Sequence, residues 1–136
     1  MGRILGLDVG DRRIGLAISD PMHIIASPLS IIDRKIDPNC FGTIQKIIEE
    51  REVEAVLVGL PLTMKGLGSS QTEKVKLFND ELSKHINIPI YSIDERLSSV
   101  TAEKSLIEQG IKTGHNKGDI DKTAAAIFLQ EYLDSQ

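Results

Sequence analysis

The stretch Ile4-Leu5-Gly6-Leu7-Asp8-Val9-Gly10 decides the fold, because it combines an apolar strand, a glycine turn and one aspartate. The apolar residues are typical of a buried strand, and Gly10 provides the turn that ends it. A carboxylate in such a run is costly to bury unless something compensates its charge. Asp8 therefore indicates either a functional acid or a side chain that caps the turn by accepting backbone N–H groups.

The residues that follow this stretch predict an antiparallel hairpin and a third strand. We expect strands at roughly 3–9 and 13–19, because apolar and small residues alternate in the second segment. Only three residues separate the two segments, which favours a hairpin. A third extended stretch is expected at roughly 23–32, bent at Pro28.

The rest of the chain alternates helix and strand patterns. The predicted elements are a helix capped by Asp37, a buried strand at 55–58, a glycine-rich loop at 59–68, a helix opened by the capping pair Ser70 and Glu73, a strand at 89–93, a helix from 97 to 110, and a last helix capped by Asp119. The order βββαβαβαα predicts an α/β fold with a mixed five-stranded sheet and helices on both of its faces.

Length and composition favour one globular domain spanning residues 1–136. Of the 136 residues, 40% are hydrophobic and 26% are charged, a balance that allows a buried core. The single cysteine, Cys40, excludes an intramolecular disulfide and favours a cytoplasmic protein. No apolar run approaches the roughly 20 residues of a membrane-spanning helix, and we expect no signal peptide before the first strand.

Charge and glycine content bear on the kind of ligand. The net charge of −4 argues against a protein that coats nucleic acid non-specifically, although two divalent cations would cancel it formally. The candidates for contacts to backbone phosphates are Arg12, Arg13, Lys65, Arg96, Lys112 and Lys117. Taken alone, each of these is more often a solvated surface cation. The loop at 59–68 would allow close approach to phosphate, or would simply connect a strand to a helix.

Two more acids occupy places comparable to that of Asp8. Glu95 follows the strand at 89–93, and Asp121 falls in the first turn of the last helix. Glu95 alone is better explained by a surface ion pair with Arg96, and Asp121 alone by the helix macrodipole, which stabilises acids there. However, Asp121 aligns with apolar residues four and seven positions later, which indicates that it faces the sheet.

Together, Asp8, Glu95 and Asp121 predict a divalent metal site. In open α/β sheets, sites form beyond the carboxyl ends of strands, where the first two of these acids would lie. Three carboxylates suit Mg²⁺ or Mn²⁺, which could activate a water and stabilise the leaving oxygen of a phosphodiester. Asp94 and Asp119 could assist. The three histidines and the single cysteine show no zinc-binding spacing.

Four segments of the chain, taken together, match one known family. They are Leu7-Asp8-Val9-Gly10 with Arg13-Ile14-Gly15, Val58-Gly59-Leu60-Pro61-Leu62 with Met64 and Gly66, Asp94-Glu95-Arg96-Leu97-Ser98, and Asn116-Lys117-Gly118 with Asp121 and Ala124-Ala125. In this order they span essentially the whole chain and resemble the RuvX/YqgF family, described as nucleases of the 16S rRNA precursor and formerly as Holliday junction resolvases. The resemblance implies a ribonuclease H-like fold, with Asp8, Glu95 and Asp121 as catalytic, metal-binding carboxylates.

These observations favour a Mg²⁺- or Mn²⁺-dependent endonuclease that acts on structured nucleic acid. The resemblance implies maturation of the 16S rRNA precursor in ribosome biogenesis. One alternative is cleavage of four-way DNA junctions, for which a dimer would be needed; the sequence shows no clear dimer face, so we expect a monomer or a weak homodimer. Another is a non-catalytic module that binds RNA or the transcription machinery. Residues 7–10 are also similar to the phosphate loop of actin-like sugar kinases, but these need two such domains.

Overall fold

A computed structural model describes residues 2–61, 70–94 and 117–136 of the protein, and only the backbone of residues 117–122. Its elements are β1 (Arg3–Val9), β2 (Arg13–Ser19), β3 (Ala26–Asp33), α1 (Cys40–Arg51), β4 (Val53–Leu60), α2 (Ser70–Ser83), β5 (Ile90–Asp94) and α3 (Lys117–Asp134). The strands form one five-stranded sheet in the order β3-β2-β1-β4-β5. β1, β2 and β3 are antiparallel, whereas β4 and β5 run parallel to β1. The predicted mixed five-stranded α/β sheet is confirmed.

The antiparallel part of the sheet begins with the predicted hairpin. β1 and β2 pair so that Asp8 lies opposite Gly15. The hairpin tip, residues 10–12, closes with a hydrogen bond of 2.8 Å from the N–H of Gly10 to the carbonyl of Arg13. A Cβ atom on Gly10 would lie 2.8 Å from that same carbonyl oxygen, so the tight turn requires glycine. Asp8 is therefore held two residues before a rigid tip.

The parallel part of the sheet extends from the other side of β1. β1 and β4 pair Leu7 with Val58, and β4 and β5 pair Gly59 with Ile93. The side chains of residues 56–58 are fully buried, as expected of a strand that is covered on both faces. α1 and α2 provide the long connections that parallel neighbours require.

Helices cover the two faces of the sheet differently. α1 and α2 pack on one face, called the α1/α2 face, where the buried side chains are Leu5, Leu7, Val9, Ile14, Leu16, Val56 and Val58 of the sheet and Ile44, Val75, Phe78 and Leu82 of the helices. α3 packs across β1, β2 and β3 on the opposite face, called the α3 face. There the buried side chains are Ile4, Ala17 and Leu57 of the sheet and Ala125, Ala126, Phe128, Leu129 and Leu133 of the helix.

Gly6 lets α3 lie close to the sheet. A Cβ atom at this position would lie 3.3 Å from the Cβ of Leu129 and 3.4 Å from the carbonyl oxygen of Ala125. Separations this short leave no room for a larger side chain, which is the usual reason for a glycine inside a strand where another backbone approaches. The position of α3 over β1 is therefore set by the absence of a side chain at Gly6.

The third strand starts later than predicted, because the residues before it form a turn. β3 begins at Ala26, three residues later than expected, because Asp20 folds the preceding residues into a turn. Its carboxylate accepts the N–H groups of Met22, Ile24 and Ile25 at 3.2, 2.7 and 2.8 Å. The bond from Ile25 contributes most to lowering the pKa of Asp20 below its usual value, and it outweighs the opposing effect of burial.

Gln130 fastens α3 to this turn. Its side-chain carbonyl accepts the N–H of Ala26, and its amide donates to the carbonyl of Ile24, both at 2.8 Å. The bonds use backbone groups that β3 leaves unpaired at its start. Polar contacts therefore hold the outer part of the α3 face, beyond its buried side chains.

Two helices begin elsewhere than the predicted caps indicate. α1 starts after Asn39, and the carboxylate of Asp37 instead accepts the hydroxyl of Thr43. α3 starts at Lys117, so Asp119 lies inside its first turn and is not its cap. Both predictions of a capping aspartate were wrong because acids are favoured throughout the first turn and the residues just before it, and sequence alone does not separate these positions.

Other element ends differ by a few residues. β4 continues through Gly59 and Leu60, which we expected in the loop, and α2 includes Ser70 as its first residue rather than as its cap. β5 is shifted by one residue toward Asp94. The predicted helix from 97 to 110 lies outside the described residues. None of the helices within the described ranges is long and apolar enough to cross a bilayer.

Candidate active site

Asp8 lies at the carboxyl end of β1, where the sequence predicts a functional acid. Strand alternation puts its side chain on the α3 face with Gly6, and the residue is only partly buried. Gly15 lies beside it on β2, and Gly59 occupies the same level on β4. We call this surrounding of Asp8 by Gly6, Gly15 and Gly59 the glycine niche. The three glycines contribute no side chain of their own beside the carboxylate, and the space over Gly6 is taken by Leu129 and the backbone of Ala125 in α3.

The first turn of α3 reaches the level of the glycine niche along the direction of β1. α3 crosses β1 at Gly6, where the carbonyl of Ala125 approaches, and its later residues pack near Ile4, so the helix runs opposite to the strand. Position 121 precedes Ala125 by one helical turn, about 6 Å along the helix axis. Asp8 follows Gly6 by two strand residues, about 7 Å in the same direction. The two displacements match, so the backbone at position 121 reaches the level of Asp8.

β5 ends beside the same niche. Ile93 pairs with Gly59 and packs against the α3 face. Because side chains alternate along a strand, Asp94 belongs to the opposite face and is turned away from Asp8. Glu95 follows directly and lies outside the described residues.

The structure thus describes one carboxylate of the predicted trio in full. Asp8 has both backbone and side chain, Asp121 has its backbone within α3, and Glu95 lies outside the described residues. Among the side chains that the structure describes, no group of three His, Cys, Asp or Glu could hold a metal ion, and that set contains neither of the partners proposed for Asp8. Carboxylate oxygens are nevertheless the donors that Mg²⁺ and Mn²⁺ prefer, so the proposed donor set fits such an ion.

Two of the predicted phosphate-contacting cations lie at the hairpin tip. The side chain of Arg12 is 59% exposed, and its Nε lies 3.5 Å from Oδ2 of Asp33. Burial raises the pKa of Asp33, but the N–H groups of Lys35 and Ile36 and the charge of Arg12 together lower it below its usual value. Arg13 is partly buried at the start of β2. The remaining candidates are Lys117, of which only the backbone is described, and Lys65, Arg96 and Lys112, which lie outside the described residues.

Sequence reasoning did not assign a role to two further cations that the fold brings to the hairpin tip. Nη1 of Arg34, just after β3, donates to the carbonyl of Gly10 at 2.9 Å. Nζ of Lys74, in α2, lies 3.4 Å from Oδ1 of Asp11. Each contact joins residues distant in the chain, so no local pattern predicts it. The glycine niche was also missed, because the predicted strand bounds do not fix the register that puts Gly15 opposite Asp8.

The same fold occurs in solved structures of Holliday junction resolvases. RuvC of Thermus thermophilus in complex with a Holliday junction substrate matches with a TM-score of 0.61 and 15% sequence identity, covering 99% of this chain and 95% of that one. The fowlpox virus resolvase in complex with junction DNA matches with a TM-score of 0.57 and 15% identity, covering 98% and 97%. These similarities establish a ribonuclease H-like fold, which confirms the predicted fold class.

The family follows from the sequence comparisons. The family model described as "RuvX: Holliday junction resolvase" matches residues 2–135, and the chain belongs to this family. A protein of Roseiflexus sp. (strain RS-1) is 46% identical over 135 residues, covering 99% of this chain and 96% of its own length. A protein of Clostridium botulinum (strain Hall) is 44% identical over 133 residues, covering 98% and 97%. Both are named "Putative pre-16S rRNA nuclease". The resemblance drawn from four sequence segments is confirmed.

Proposed function

We propose that the protein is a single-domain, cytoplasmic endonuclease that hydrolyses phosphodiester bonds in structured nucleic acid, with the 16S rRNA precursor as its substrate. The observation that carries the proposal is Asp8, a partly buried carboxylate at the carboxyl end of β1 within the glycine niche. Membership of the RuvX family supports nuclease chemistry, and the names of the relatives support the choice of substrate.

The proposed active centre consists of Asp8, Glu95 and Asp121, which would together hold one or two Mg²⁺ or Mn²⁺ ions. Two geometric arguments support the partners of Asp8. Glu95 directly follows β5, which ends beside the niche with Ile93 on the α3 face. Helix geometry from Ala125 brings position 121 to the level of Asp8. Three carboxylates in one site repel one another, and metal binding relieves that repulsion.

In the proposed mechanism, the chain positions the reacting groups and the ion supplies the chemistry. When bound, the ion activates a water and offsets the charge that develops on the scissile phosphate. Asp8 is held in place because β1 is paired on both sides, to β2 and to β4. In this mechanism the phosphate lies beside Gly15 and Gly59, which have no side chains of their own to displace. No side-chain nucleophile is needed for this step. The exposed guanidinium of Arg12, at the hairpin tip, is proposed to contact the phosphate backbone of the nucleic-acid strand that is cleaved.

A second candidate function is resolution of four-way DNA junctions, which the description of the family model favours. A resolvase cuts two symmetry-related strands and therefore acts as a dimer. Processing of precursor rRNA requires no such symmetry, so a monomer or a weak homodimer suffices for the first candidate. The two candidates share the same active centre and differ in substrate and in oligomeric state.

The decisive experiment compares both substrates with one pair of variants. Purified protein is incubated with an RNA that carries a mature 16S end and its precursor flank, and in parallel with a synthetic four-way DNA junction, with Mg²⁺ or with a chelator. Asp8→Asn removes the carboxylate charge and keeps the shape of the side chain. Asp80→Asn, at an exposed acid on α2, is the matched control.

The expected result is metal-dependent cleavage of the RNA, lost by at least about 100-fold in Asp8→Asn and unchanged in Asp80→Asn, a size typical for removal of a group that stabilises the transition state. Millimolar Mg²⁺ should also raise the melting temperature of the wild type more than that of Asp8→Asn. Cleavage of the junction alone, by a dimer, would replace rRNA processing with the second candidate. Full activity of Asp8→Asn, or neither cleavage nor a metal-dependent melting shift in the wild type, would reject the nuclease.

A further inference from the structure

A groove lies beside the hairpin tip, on the opposite face of the sheet from the carboxylate of Asp8. It has a volume of about 390 Å³, and its walls include Asp11 of the tip, Arg34 after β3, and Lys74, Leu77, Phe78 and Glu81 of α2. This volume falls in the range of pockets that hold small ligands. At most about 11 Å of extended chain separates Asp8 from Asp11, so the groove adjoins the proposed active centre.

Arg34 is fixed in the groove before any ligand arrives. Its backbone N–H donates to the carbonyl of Arg12 at 2.7 Å, and Nη1 donates to the carbonyl of Gly10 at 2.9 Å. The guanidinium carbon lies 5.5 Å from the centre of the Phe78 ring, in a cation–π contact. A guanidinium has five N–H donors in a planar fork, and holding the fork in one orientation reduces the entropy lost when it binds an anion.

Lys74 provides a second cation, held by an exchangeable partner. Its Nζ lies 3.4 Å from both carboxylate oxygens of Asp11. The two side chains are 58% and 67% exposed, and ion pairs this exposed contribute little to stability. A phosphate can therefore replace Asp11 beside Lys74 at small cost. Without a ligand, Asp11 offsets the charge of Lys74, and Glu81 on the groove wall pairs with Lys84 at 3.3 Å. Acids among the groove residues keep it from attracting nucleic acid indiscriminately.

We propose that this groove binds the backbone phosphate of the single-stranded RNA that flanks the scissile bond, with Arg34 and Lys74 as its ligands and Asp11 as the group that the phosphate displaces. The assignment rests on the proposed function, because it supposes that a nucleic-acid strand passes Asp8. From there the strand crosses the sheet edge at the hairpin tip and enters the groove. The exposed Leu77 forms the apolar rim over which the adjoining sugar passes.

The test measures binding of two fluorescein-labelled RNAs by anisotropy, with Ca²⁺ replacing Mg²⁺ to suppress cleavage. One RNA carries a stem with a single-stranded flank, and the other is the same stem with blunt ends. The variants are Lys74→Ala and, as matched control, Lys76→Ala, which lies on the same helix, is 56% exposed and pairs with Glu73 at 3.7 Å. Two further variants are Asp11→Asn and Arg34→Lys, the latter retaining the charge without the planar fork.

For the flanked RNA, we expect Lys74→Ala to raise Kd about threefold to tenfold and to reduce the slope of log Kd against log salt by about 0.7, the value for one phosphate of a single strand. Arg34→Lys should also weaken binding, and Asp11→Asn should strengthen it because the competing anion is gone. Lys76→Ala should have no effect, and the blunt stem should bind all variants equally. Melting temperatures close to that of the wild type show that the folded state is being compared.

Equal Kd values for Lys74→Ala and Lys76→Ala, in a wild type that binds and cleaves the flanked RNA, would overturn the groove and leave the nuclease intact. Weaker binding by Asp11→Asn would overturn the displacement step. Loss of affinity for the blunt stem by Lys74→Ala would assign the contact to a duplex instead. A wild type that neither binds nor cleaves RNA would reject the nuclease and the groove together.

Discussion

The two faces of the sheet differ in the size of their side chains, although the same strands contribute to both. On the α1/α2 face, β1 presents Leu5 and Leu7, both fully buried against large partners. On the α3 face, the same strand presents Gly6 and Asp8. Large buried side chains supply most of the hydrophobic stabilisation, whereas small ones allow close approach of a helix or a ligand. The candidate active centre lies where β1 presents a glycine and an acid, and the comparison separates large side chains that hold the sheet together from small ones that allow close approach.

Filling the open space should have the largest effect on activity. Gly15 pairs with Asp8 in the regular antiparallel ladder, where valine is compatible with strand geometry. We expect Gly15→Val to lower kcat for RNA cleavage by about 100-fold or more, because its methyl groups would occupy the glycine niche where the phosphate and the ion belong. Kinetics under saturating RNA would measure this. Wild-type kcat in a folded Gly15→Val protein would show that the niche is not used.

Shortening a large side chain on the α1/α2 face should reduce stability and leave activity nearly unchanged. Leu5 is fully buried on the α1/α2 face, so Leu5→Ala leaves a cavity and should reduce the free energy of unfolding by about 2–5 kcal/mol. Urea denaturation measures that loss. Cleavage per folded molecule, assayed well below the melting temperature, should stay within about twofold of the wild type. A kcat that falls as far as that of Gly15→Val would contradict the separation of the two faces.

A substitution between helix and strand should affect both properties moderately. In Gly6→Val, a Cβ would lie 3.3 Å from the Cβ of Leu129, and the added methyl groups would push α3 away from β1. Overpacking of this kind costs about 1–3 kcal/mol. Activity should also decrease, because α3 carries Asp121. Gly6→Ala is the graded control, since the helix needs to shift by only a few tenths of an ångström. Wild-type cleavage activity in both folded variants would indicate that the position of α3 does not matter for cleavage.

The smallest effect should appear as a pH dependence at the edge of the α3 face. The pKa of Asp20 is lower in the folded protein than its usual value of 3.8, so its ionised form stabilises the turn. This contribution is present above the unfolded-state pKa and is lost as the pH falls through the lower, folded-state pKa. Asp20→Asn cannot ionise, so its stability deficit relative to the wild type should be constant above about pH 5 and shrink below about pH 4. Urea denaturation across that range tests this, and a deficit independent of pH would contradict it.

The sequence predicted the order of the described elements because each depends on local periodicity. The hairpin followed from alternation and a three-residue tip, and the apolar residues of α1 and α2 pack on the sheet as their spacing indicates. The start of β3 could not be predicted, because Asp20 competes for N–H groups that a strand would otherwise use. Helix starts were uncertain for a similar reason, since an acid such as Asp119 suits several positions of the first turn.

The candidate site was predictable only in part. A single charged residue inside an apolar strand identified Asp8, and helical spacing associated Asp121 with the sheet; their convergence with Glu95 stays a prediction. Arg34 and Lys74 are brought to the groove by contacts between distant segments of the chain, so their placement could be found only from the folded structure. The same holds for the glycine niche, because Gly59 reaches the level of Asp8 only through the pairing of β4 with β1.

The placement of α3 has a consequence for folding while the protein is being synthesised on the ribosome. Among the elements described, α3 is synthesised last, yet it must return to the first strands; the bond between Ala26 and Gln130 spans 104 positions. The hairpin can fold as soon as it emerges, because its contacts are local. At translation speeds of about 5–20 residues per second, the first strands of a nascent chain wait several seconds before α3 can cover the sheet face that carries Asp8. Nuclease activity would therefore be absent until α3 has been synthesised and has packed on the sheet.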